Sequence, residues 1–298
     1  MLARSNIFIL LCFSLACNSQ VNNSGLSISQ PGGLRILVVQ KDYPLLKILL
    51  PGQSISDRGI EVEFPEHITG VNEKNNQVEH LYLTTARNQN KRTLPVWHVE
   101  SNVIRYETSF GQIEMTATAE LEKDGVGFIY KLTNHSDTSF RNIQAVTCVK
   151  LYSVFSDTML ERTYVHHADG FDLLASETPA RLTMPLQKWL PCRYLVSYTW
   201  PVPAKQIEKG SDSITRYYKS RKVDKPFIAT FSHDKKWIAA TYTKQTGNLW
   251  TNPERSCQHA DPAVNLKGGE TKILELKTFI VRGNLEQVLE MVNTEMKK

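Results

Sequence analysis

Residues 113–133 read IEMTATAELEKDGVGFIYKLT, and this stretch decides the fold class. Apolar and polar side chains alternate in Ile113–Leu121 and again in Val126–Thr133, which is the period of a strand buried on one face. The dipeptide Asp124-Gly125 between them is a strong hairpin signal, because glycine accepts the positive φ that tight turns require. The stretch therefore predicts two antiparallel strands joined by a short turn.

Similar strand patterns occur on both sides of this hairpin, at Leu34–Val39, Gly59–Phe64, Val103–Thr108, Ile143–Leu151, Phe227–Ser232, Trp237–Lys244 and Thr271–Val281. Only Leu285–Met296 has the apolar spacing of a helix, and Asn284 is positioned to cap it. Many strands at short spacing with one C-terminal helix predict an all-β fold. We expect a β-sandwich or a larger supersandwich of antiparallel sheets.

Residues 1–17 have the order of an export signal. Ile7–Leu15 is apolar but too short to span a bilayer, and a small residue and Cys17 close the run. This ending resembles a bacterial lipoprotein signal, in which the cysteine is lipidated, although Ser14 stands where that family usually has leucine. We therefore expect a protein exported to the periplasm or outer membrane surface, anchored through a lipid at Cys17, with residues 18–29 as a flexible tether. An ordinary cleaved signal followed by a free protein is the alternative.

The composition suits a single folded domain over residues 30–298. The chain is 41% hydrophobic and 22% charged, so it can bury a core without extended disorder. Its 35 Lys and Arg residues exceed 30 Asp and Glu residues only slightly. That excess is compatible with an acidic ligand but is far from the dense basic patch of a nucleic-acid binder, so we expect no nucleic-acid partner. No segment after the signal is apolar for long enough to cross a membrane.

Three cysteines follow the tether. A disulfide between Cys192 and Cys257 is the favoured pairing in an oxidising envelope, and Cys148 would then remain a thiol. Their spacing does not fit a zinc knuckle.

The first group of candidate site residues is the segment ERTYVHHADG, residues 161–170. Tyr164, His166 and His167 offer acids and bases, and Arg162 could clamp an anion. In an extended segment the two histidines point to opposite faces, so at most one should enter a given cleft. A substrate site, a structural loop with a hydrogen-bonded histidine and a fragment of a metal site all remain open.

The second group is KWLPCRY, residues 188–194. Trp189 could stack on a sugar ring, while Arg193 could bind a carboxylate and Tyr194 could act as an acid. Alternatively, the tryptophan is a core residue at a sheet corner.

The third group lies between Trp250 and Asp261. Trp250 and Asn252 precede Cys257, and His259 is followed two residues later by Asp261. Because Asp261 precedes a proline, it is restricted toward extended geometry, which places the His259 and Asp261 side chains on one side. They could form a base with its orienting carboxylate, a pair of metal ligands, or part of a structural loop.

The run from Phe128 through Leu132-Thr133-Asn134 to Val149 resembles strands of bacterial carbohydrate-processing sandwiches, including galactose-mutarotase-like and polysaccharide-lyase domains. The segment 250–262, with Gly268-Gly269-Glu270, is similar to exported proteins of sugar-degrading bacteria. The resemblance covers about half of the chain that follows the signal. It implies a sandwich fold and a sugar ligand, and it carries over no catalytic residue.

These features favour an enzyme that performs β-elimination on acidic, uronate-containing oligosaccharides, as a polysaccharide lyase or an oligosaccharide dehydratase. The reaction needs a base, an acid for the leaving group and a cation for the developing enediolate. The candidates for these roles are, in that order, His167 or His259, Tyr194 or Tyr164, and Arg162 or Arg193, with Trp189, Trp250 and Asn252 contacting the sugar.

Two alternatives remain from the sequence. One is a glycan-binding surface lipoprotein without catalysis, in which tryptophans form an exposed platform. The other is a mutarotase-like epimerase, which needs a histidine and a carboxylate around a neutral sugar. The nucleophile-elbow, phosphate-loop, dinucleotide and zinc-protease motifs do not occur. No cofactor and no metal is predicted, and the expected partner is an acidic oligosaccharide or polysaccharide.

Overall fold

A computed structural model describes residues 25–30, 33–83, 95–176, 194–199, 203–209 and 215–298. Within these ranges the chain forms strands β1 to β21, two short 3₁₀ turns and one helix, α1. The strands are Ser27–Ser29, Arg35–Val39, Leu45–Leu49, Ile60–Asn72, Gln77–Leu83, His98–Glu100, Val103–Phe110, Ile113–Glu122, Gly125–Asn134, Phe140–Leu151, Thr163–His167, Gly170–Leu173, Tyr194–Thr199, Ile207–Lys209, Thr215–Tyr218, Phe227–Phe231, Trp237–Tyr242, Asn248–Thr251, Cys257–Gln258, Ala263–Leu266 and Thr271–Arg282. The 3₁₀ turns are Ser153–Phe155 and Pro253–Arg255, and α1 is Leu285–Glu295.

The strands form three sheets. An eight-stranded sheet has the order β1-β2-β3-β4-β10-β19, with β20 paired to β10 and β5 paired to β4. A nine-stranded sheet has the order β12-β11-β16-β17-β21-β9-β8-β7-β6, and a four-stranded sheet has the order β14-β15-β13-β18. All the pairings are antiparallel except β13 with β15. The predicted all-β sandwich with a C-terminal helix is confirmed.

The main core lies between the eight-stranded and nine-stranded sheets. Phe64 on β4 has its ring centroid 5.3 Å from Phe128, 5.4 Å from Tyr130 and 5.7 Å from Tyr106, all on the nine-stranded sheet. The two tyrosine hydroxyls are buried but satisfied. Tyr106 donates to the carbonyl oxygen of Phe64 over 2.6 Å, and Tyr130 lies 2.6 Å from the Thr147 hydroxyl. Buried phenol groups need such partners, so these bonds fix how the two sheets face each other.

The central hairpin is shifted by one residue from the sequence prediction. Glu122 pairs with Gly125, so the turn consists of Lys123 and Asp124, and Gly125 already belongs to β9. A Cβ atom on Gly125 would lie 2.1 Å from the carbonyl oxygen of Thr278 on β21. Glycine is therefore required here for close strand approach.

Helix α1 covers the outer side of the nine-stranded sheet. The Asn284 side chain accepts from the backbone N–H of Gln287, and the Gln287 side chain accepts from the backbone N–H of Asn284, which is a capping box. The predicted cap is thus confirmed. The buried residues of the helix, Leu285, Val288 and Val292, pack in a second cluster with Phe227, Ile238 and Phe279. In the described residues, no helix is both long and apolar enough to span a bilayer.

Lys277 ties α1 and the central hairpin to the nine-stranded sheet. Its ammonium lies 2.8 Å from Glu122, 3.0 Å from Asp124 and 3.0 Å from Glu295, and only 10% of its side chain is exposed.

Replacing Lys277 by Met should lower the free energy of unfolding by about 2 kcal/mol, because three partly buried carboxylates lose their counter-ion. Urea titration followed by circular dichroism measures this change. The matched control is Lys272→Met. The ion pair of Lys272 with Glu270 is more exposed, so this substitution should lower the free energy of unfolding by less than about 0.5 kcal/mol. Equal effects of both substitutions would contradict the assigned role of Lys277.

Candidate functional site

The Arg162 guanidinium is held by backbone carbonyl oxygens and a carboxylate of the protein. It donates to the carbonyl oxygen of Phe231 over 2.6 Å and to that of Ser156, and it lies 3.8 Å from the Asp157 carboxylate. Asp157 also accepts the backbone N–H groups of Glu161 and Arg162. This network closes the turn before β11. The predicted carboxylate clamp is therefore a structural residue here.

The histidines of β11 lie at one end of the nine-stranded sheet. His166 and His167 point to opposite faces, as the alternation predicted. His166 Nδ1 lies 2.5 Å from Asp224, and the buried His167 has Nδ1 3.0 Å from the carbonyl oxygen of Lys222. Tyr164 packs edge-on against Phe231 at 6.0 Å. His167 and Tyr164 are thus on a different sheet from His259, and the structure does not bring these predicted acids and bases together.

Four predicted residues cannot be placed. Trp189, Arg193 and the lipidation site Cys17 lie outside the described residues, and for Tyr194 only the backbone is described, at the start of β13.

The third predicted group does form a cluster. The Trp250 ring stacks on the His259 ring with centroids 3.5 Å apart and planes 8° from parallel. Trp250 Nε1 donates to one oxygen of Asp261 over 2.7 Å, and His259 Nδ1 lies 3.4 Å from the other oxygen. His259 and Asp261 are fully buried, at 1% and 2% exposure. Asn252 lies in the same loop, and its backbone N–H points to the Cys257 sulfur at 3.2 Å.

Cys257 is a free, buried thiol beside Cys148, and Cys192, its predicted disulfide partner, lies outside the described residues. The pairing of β19 with β10 brings Cys257 close to Cys148, because it matches Lys150 with Cys257 and Val149 with Gln258. Continuing this register puts Cys148 beside His259, and both lie on the same side as Cys257. The potential ligand atoms of Cys148, Cys257 and His259 all lie within 4.8 Å of one another.

The electrostatics of this cluster follow from burial. A hydrogen bond to Cys257, together with burial, raises the pKa of the Cys148 thiol. Burial alone would lower the pKa of His259, but the adjacent Asp261 carboxylate and Cys148 outweigh it and raise that pKa to about 10. Without an added ligand, this cluster therefore holds neutral Cys148 and a His259 that is paired with Asp261.

We call the face of the eight-stranded sheet that points away from the nine-stranded sheet the outer face. Val62 and Val149 point into the core, so their neighbours Glu63, Cys148 and Lys150 lie on the outer face. Lys150 Nζ forms an ion pair with Glu63, and both residues are buried, at 6% and 3% exposure. Charged side chains that are shielded from water on the face opposite the core are unusual, which makes this face the candidate site.

Beyond a register shift that follows Glu63, His67 continues this face along β4, and Glu66 is its neighbour in the chain. His67 pairs with Val146 of β10, and its ring centroid is 5.6 Å from that of His80 on β5. Burial raises the pKa of Glu66, and His259, Glu63 and Lys150 are the next largest influences on it. Glu66 therefore sits within electrostatic range of both the ion pair and the His259 cluster.

Two tyrosines and an arginine lie at the other end of the outer face. Burial raises the pKa of Tyr43, and the carboxylate of Glu63 adds to this effect. Burial also raises the pKa of Tyr152, whose ring is covered by the Arg58 guanidinium at 3.3 Å. Arg58 also pairs with Glu61 at 3.5 Å. Both phenols thus remain protonated at neutral pH and could donate hydrogen bonds.

The sequence reasoning missed Glu63, Glu66, His67, His80 and Lys150. A usable signal was present in β4, where Glu61 and Glu63 alternate with Ile60, Val62 and Phe64. The same pattern is typical of a strand with a solvated face, so it does not distinguish a site from an ordinary surface.

No protein-family model matches the chain, and the comparison with curated proteins found no match. Among solved structures, the chain is similar to Slr1438 from Synechocystis, with 11% identity, a TM-score of 0.48, and 87% of this chain and 96% of that chain covered. It is also similar to a galactose mutarotase related enzyme from Lactobacillus acidophilus, with 9% identity and a TM-score of 0.45. That match covers 86% of this chain and 97% of the other chain. The match to a polysaccharide lyase, BACCELL_00875, has 10% identity and a TM-score of 0.38. It covers 86% of this chain but 34% of the other chain, so this chain spans about a third of that protein. The predicted resemblance to carbohydrate-active β-sandwich proteins is confirmed, and no residue role follows from it.

Proposed function

We propose that this protein is a carbohydrate-active enzyme that transfers protons on a bound sugar at the outer face, with Glu66 as the main acid–base group. The observation that carries the proposal is that the partly buried Glu66 lies within electrostatic range of both the shielded Glu63–Lys150 pair and His259, with His67 next to it on β4. The sugar substrate is suggested by the resemblance of residues 128–149 to carbohydrate-processing sandwiches.

Glu66 suits this role because of its surroundings. Its carboxyl group is partly buried, and burial raises its pKa toward the pH at which a carboxyl group can both take and return a proton. Tyr43 and Tyr152 do not suit the role of base, because burial moves the pKa of each phenol away from neutrality. They can instead hold sugar hydroxyls.

We assign the reaction to the anomeric centre of a neutral aldose. Glu66 takes the proton of the anomeric hydroxyl while a histidine, His67 or His80, gives a proton to the ring oxygen, and the bond between the anomeric carbon and the ring oxygen breaks. Rotation of the resulting aldehyde and the reverse transfers close the ring as the other anomer. All atoms and protons balance, and both groups return to their starting states. The ring of His80 is exposed to solvent.

The charges of the outer face favour a neutral sugar over a uronate. Lys150 is paired with Glu63, and Arg58 is paired with Glu61. Within the described ranges, neither cation is left uncommitted to bind a substrate carboxylate. β-Elimination needs such a cation to stabilise the enediolate.

β-Elimination on a uronate-containing oligosaccharide is the second candidate, and Arg255 favours it. This arginine is exposed and is influenced by Cys148, Cys257 and Tyr152, which places it near the outer face. Among the described residues no carboxylate lies within ion-pair distance of its guanidinium. A uronate carboxylate could occupy that position, with Glu66 or a histidine removing the adjacent proton.

A purely glycan-binding role is less well supported. The tryptophans of the described ranges are partly buried and each contacts another side chain: Trp97 packs on Tyr106 at 5.0 Å, Trp237 lies under Arg282 at 4.6 Å, and Trp250 stacks on His259. They do not form an exposed row on which sugar rings could stack.

The test is a panel of neutral aldoses and uronate-containing oligosaccharides. Exchange between anomers is followed by nuclear magnetic resonance, and formation of a C4–C5 double bond is followed by ultraviolet absorbance. We expect the protein to accelerate anomeric exchange of at least one neutral aldose. A double-bond signal without anomeric acceleration would move the assignment to β-elimination. Binding of sugars with neither reaction would contradict the enzymatic proposal.

The pH dependence of the rate should report Glu66. The base must be ionised, so activity should fall as the pH decreases through the pKa of Glu66, which burial has raised above the ordinary value of 4.5. We therefore expect an acidic limb in kcat/KM at a pH above 4.5. Circular dichroism at each pH separates this limb from unfolding. A rate that stays constant down to the ordinary glutamate pKa would contradict the role of Glu66.

We also propose that the protein is exported and lipid-anchored, as the order of residues 1–17 suggests. Cells grown with a labelled fatty acid should incorporate the label into this chain. Cys17→Ser should abolish the labelling, whereas Cys12→Ser, which lies within the apolar run, should leave it unchanged. Labelling that survives Cys17→Ser would contradict the anchor.

A further inference from the structure

Two thiols and one imidazole meet on the outer face without a role in the proposed proton transfers. Cys148, Cys257 and His259 are 3%, 2% and 1% exposed. Their possible ligand atoms lie within 4.8 Å of one another, which is close to the spacing of ligand atoms around a single tetrahedral ion. The three come from two elements, β10 and the β19 segment, so the convergence depends on the fold.

The sheet register explains why they meet. Lys150 pairs with Cys257 and Val149 pairs with Gln258, so the next step along β10 brings Cys148 beside His259. Cys148 also pairs with Glu63 on its other side. The two sulfurs and the imidazole therefore lie on one face, in a row that leads from the Glu63–Lys150 pair to the Trp250 loop.

The groups around His259 orient its ring. Asp261 lies 3.4 Å from Nδ1, and its other oxygen accepts from Trp250 Nε1 at 2.7 Å. Trp250 itself stacks on the ring at 3.5 Å. A carboxylate on one ring nitrogen fixes the tautomer and leaves the other nitrogen, Nε2, as the ligand atom, which is the arrangement that supports metal-bound histidines.

We propose that Cys148, Cys257 and His259 form a binding site for a thiophilic d¹⁰ cation, Zn²⁺, with Asp261 and Trp250 orienting the histidine. Two thiolates and one imidazole select such an ion over hard cations such as Mg²⁺ and Ca²⁺, which require oxygen ligands. Binding releases the two thiol protons and the Nε2 proton of His259 to solvent, and the thiolate charges balance the charge of the ion. The described residues supply three ligands, and a water molecule could complete a tetrahedral set.

The bound ion would clamp the Trp250–Asp261 loop against β10. It would add to the two residue pairs of β19 with β10 and to the bond from the Leu151 backbone N–H to the Ser256 carbonyl oxygen. Because the same loop borders the Glu66 site, ion binding would set the position of one wall of that site. The inference does not depend on which reaction the outer face performs.

The test uses the full chain purified without chelators or added thiols. We expect about one zinc per chain by elemental analysis. Replacement of zinc by Co²⁺ should give the near-ultraviolet charge-transfer band of thiolate ligation and the visible bands of a tetrahedral site. Cys148→Ser and Cys257→Ser should each lose most of the charge-transfer intensity, and His135→Gln, at an exposed histidine that pairs with Glu114, is the control that should retain it.

Two results would overturn the site. One is a wild-type chain that remains folded, with free thiols, and binds neither Zn²⁺ nor Co²⁺ at micromolar concentrations. The other is a mass lower by two hydrogens that maps to a Cys148–Cys257 disulfide, which would make the pair an oxidised crosslink. Because these outcomes are read on the wild-type chain, they hold even if the serine variants fold poorly.

Discussion

Replacing Glu66 by Gln should lower kcat/KM on the sugar substrate by about 100-fold or more while leaving the fold intact. Glutamine has nearly the same shape as glutamate but cannot take up a proton, and positioned acid–base groups contribute factors of about 10² to 10⁴. The partly buried carboxyl group is replaced by a neutral amide of the same size, so the free energy of unfolding should change little. Steady-state anomeric exchange rates, measured with the wild-type chain and the variant, check the expectation.

The matched control is Glu114→Gln. Glu114 lies on β8 of the nine-stranded sheet, where its exposed carboxylate pairs with His135 at 3.2 Å. The substitution removes one carboxylate of the same kind at a distance from the outer face, so activity should remain at the wild-type level. A Glu66→Gln variant with more than about a third of wild-type activity would remove Glu66 from the mechanism.

Replacing Lys150 by Met should cost about 3–5 kcal/mol of stability. The substitution leaves the Glu63 carboxylate, which is 3% exposed, without its counter-ion on a shielded sheet face. Urea unfolding of the wild type and the variant measures the difference. Glu63→Leu combined with Lys150→Met should recover most of the loss, because the two removed charges are then both absent.

Lys47→Met provides the control for this measurement. Lys47 lies on the neighbouring strand β3, in the same row as Glu61 and Lys150. Among the residues that the structure describes, its ammonium bonds only to the carbonyl oxygens of Ile55 and Asp57, at 3.2 and 3.1 Å. We expect a loss below about 1 kcal/mol, since those bonds are exposed to water. If Lys150→Met were no more destabilising than Lys47→Met, the ion pair would not be the buried support of the outer face.

The sequence predicted the strands and the helix start that are encoded by neighbouring residues. The alternation of residues 113–133 gave β8 and β9, and Asn284 marked the start of α1. The hairpin turn was displaced by one residue because Gly125 is needed for the approach of β21, a contact with residues far along the chain. The β4–β5 hairpin was not predicted, because Gln77–Leu83 carries polar residues that read as a loop.

The candidate site was harder to predict for a related reason. Residues 250–261 are close in sequence, so the association of Trp250, His259 and Asp261 could be expected from spacing alone. Cys148 joins them only through the register of β10 with β19, which no local pattern encodes. Glu63, Glu66 and Lys150 look like ordinary surface charges in sequence, and only the tertiary structure shows that they are shielded. His167 and Arg162 misled the prediction because a histidine- and arginine-rich turn can also be held by its own backbone carbonyls.

The most direct test of the central claim is a crystal structure of the Glu66→Gln variant with the sugar that the wild-type chain converts. We predict that the sugar lies on the outer face, with its anomeric oxygen within about 3 Å of the side chain at position 66 and close to His67. A sugar bound instead beside His167 at the end of the nine-stranded sheet, with no contact to position 66, would contradict the assignment of the site.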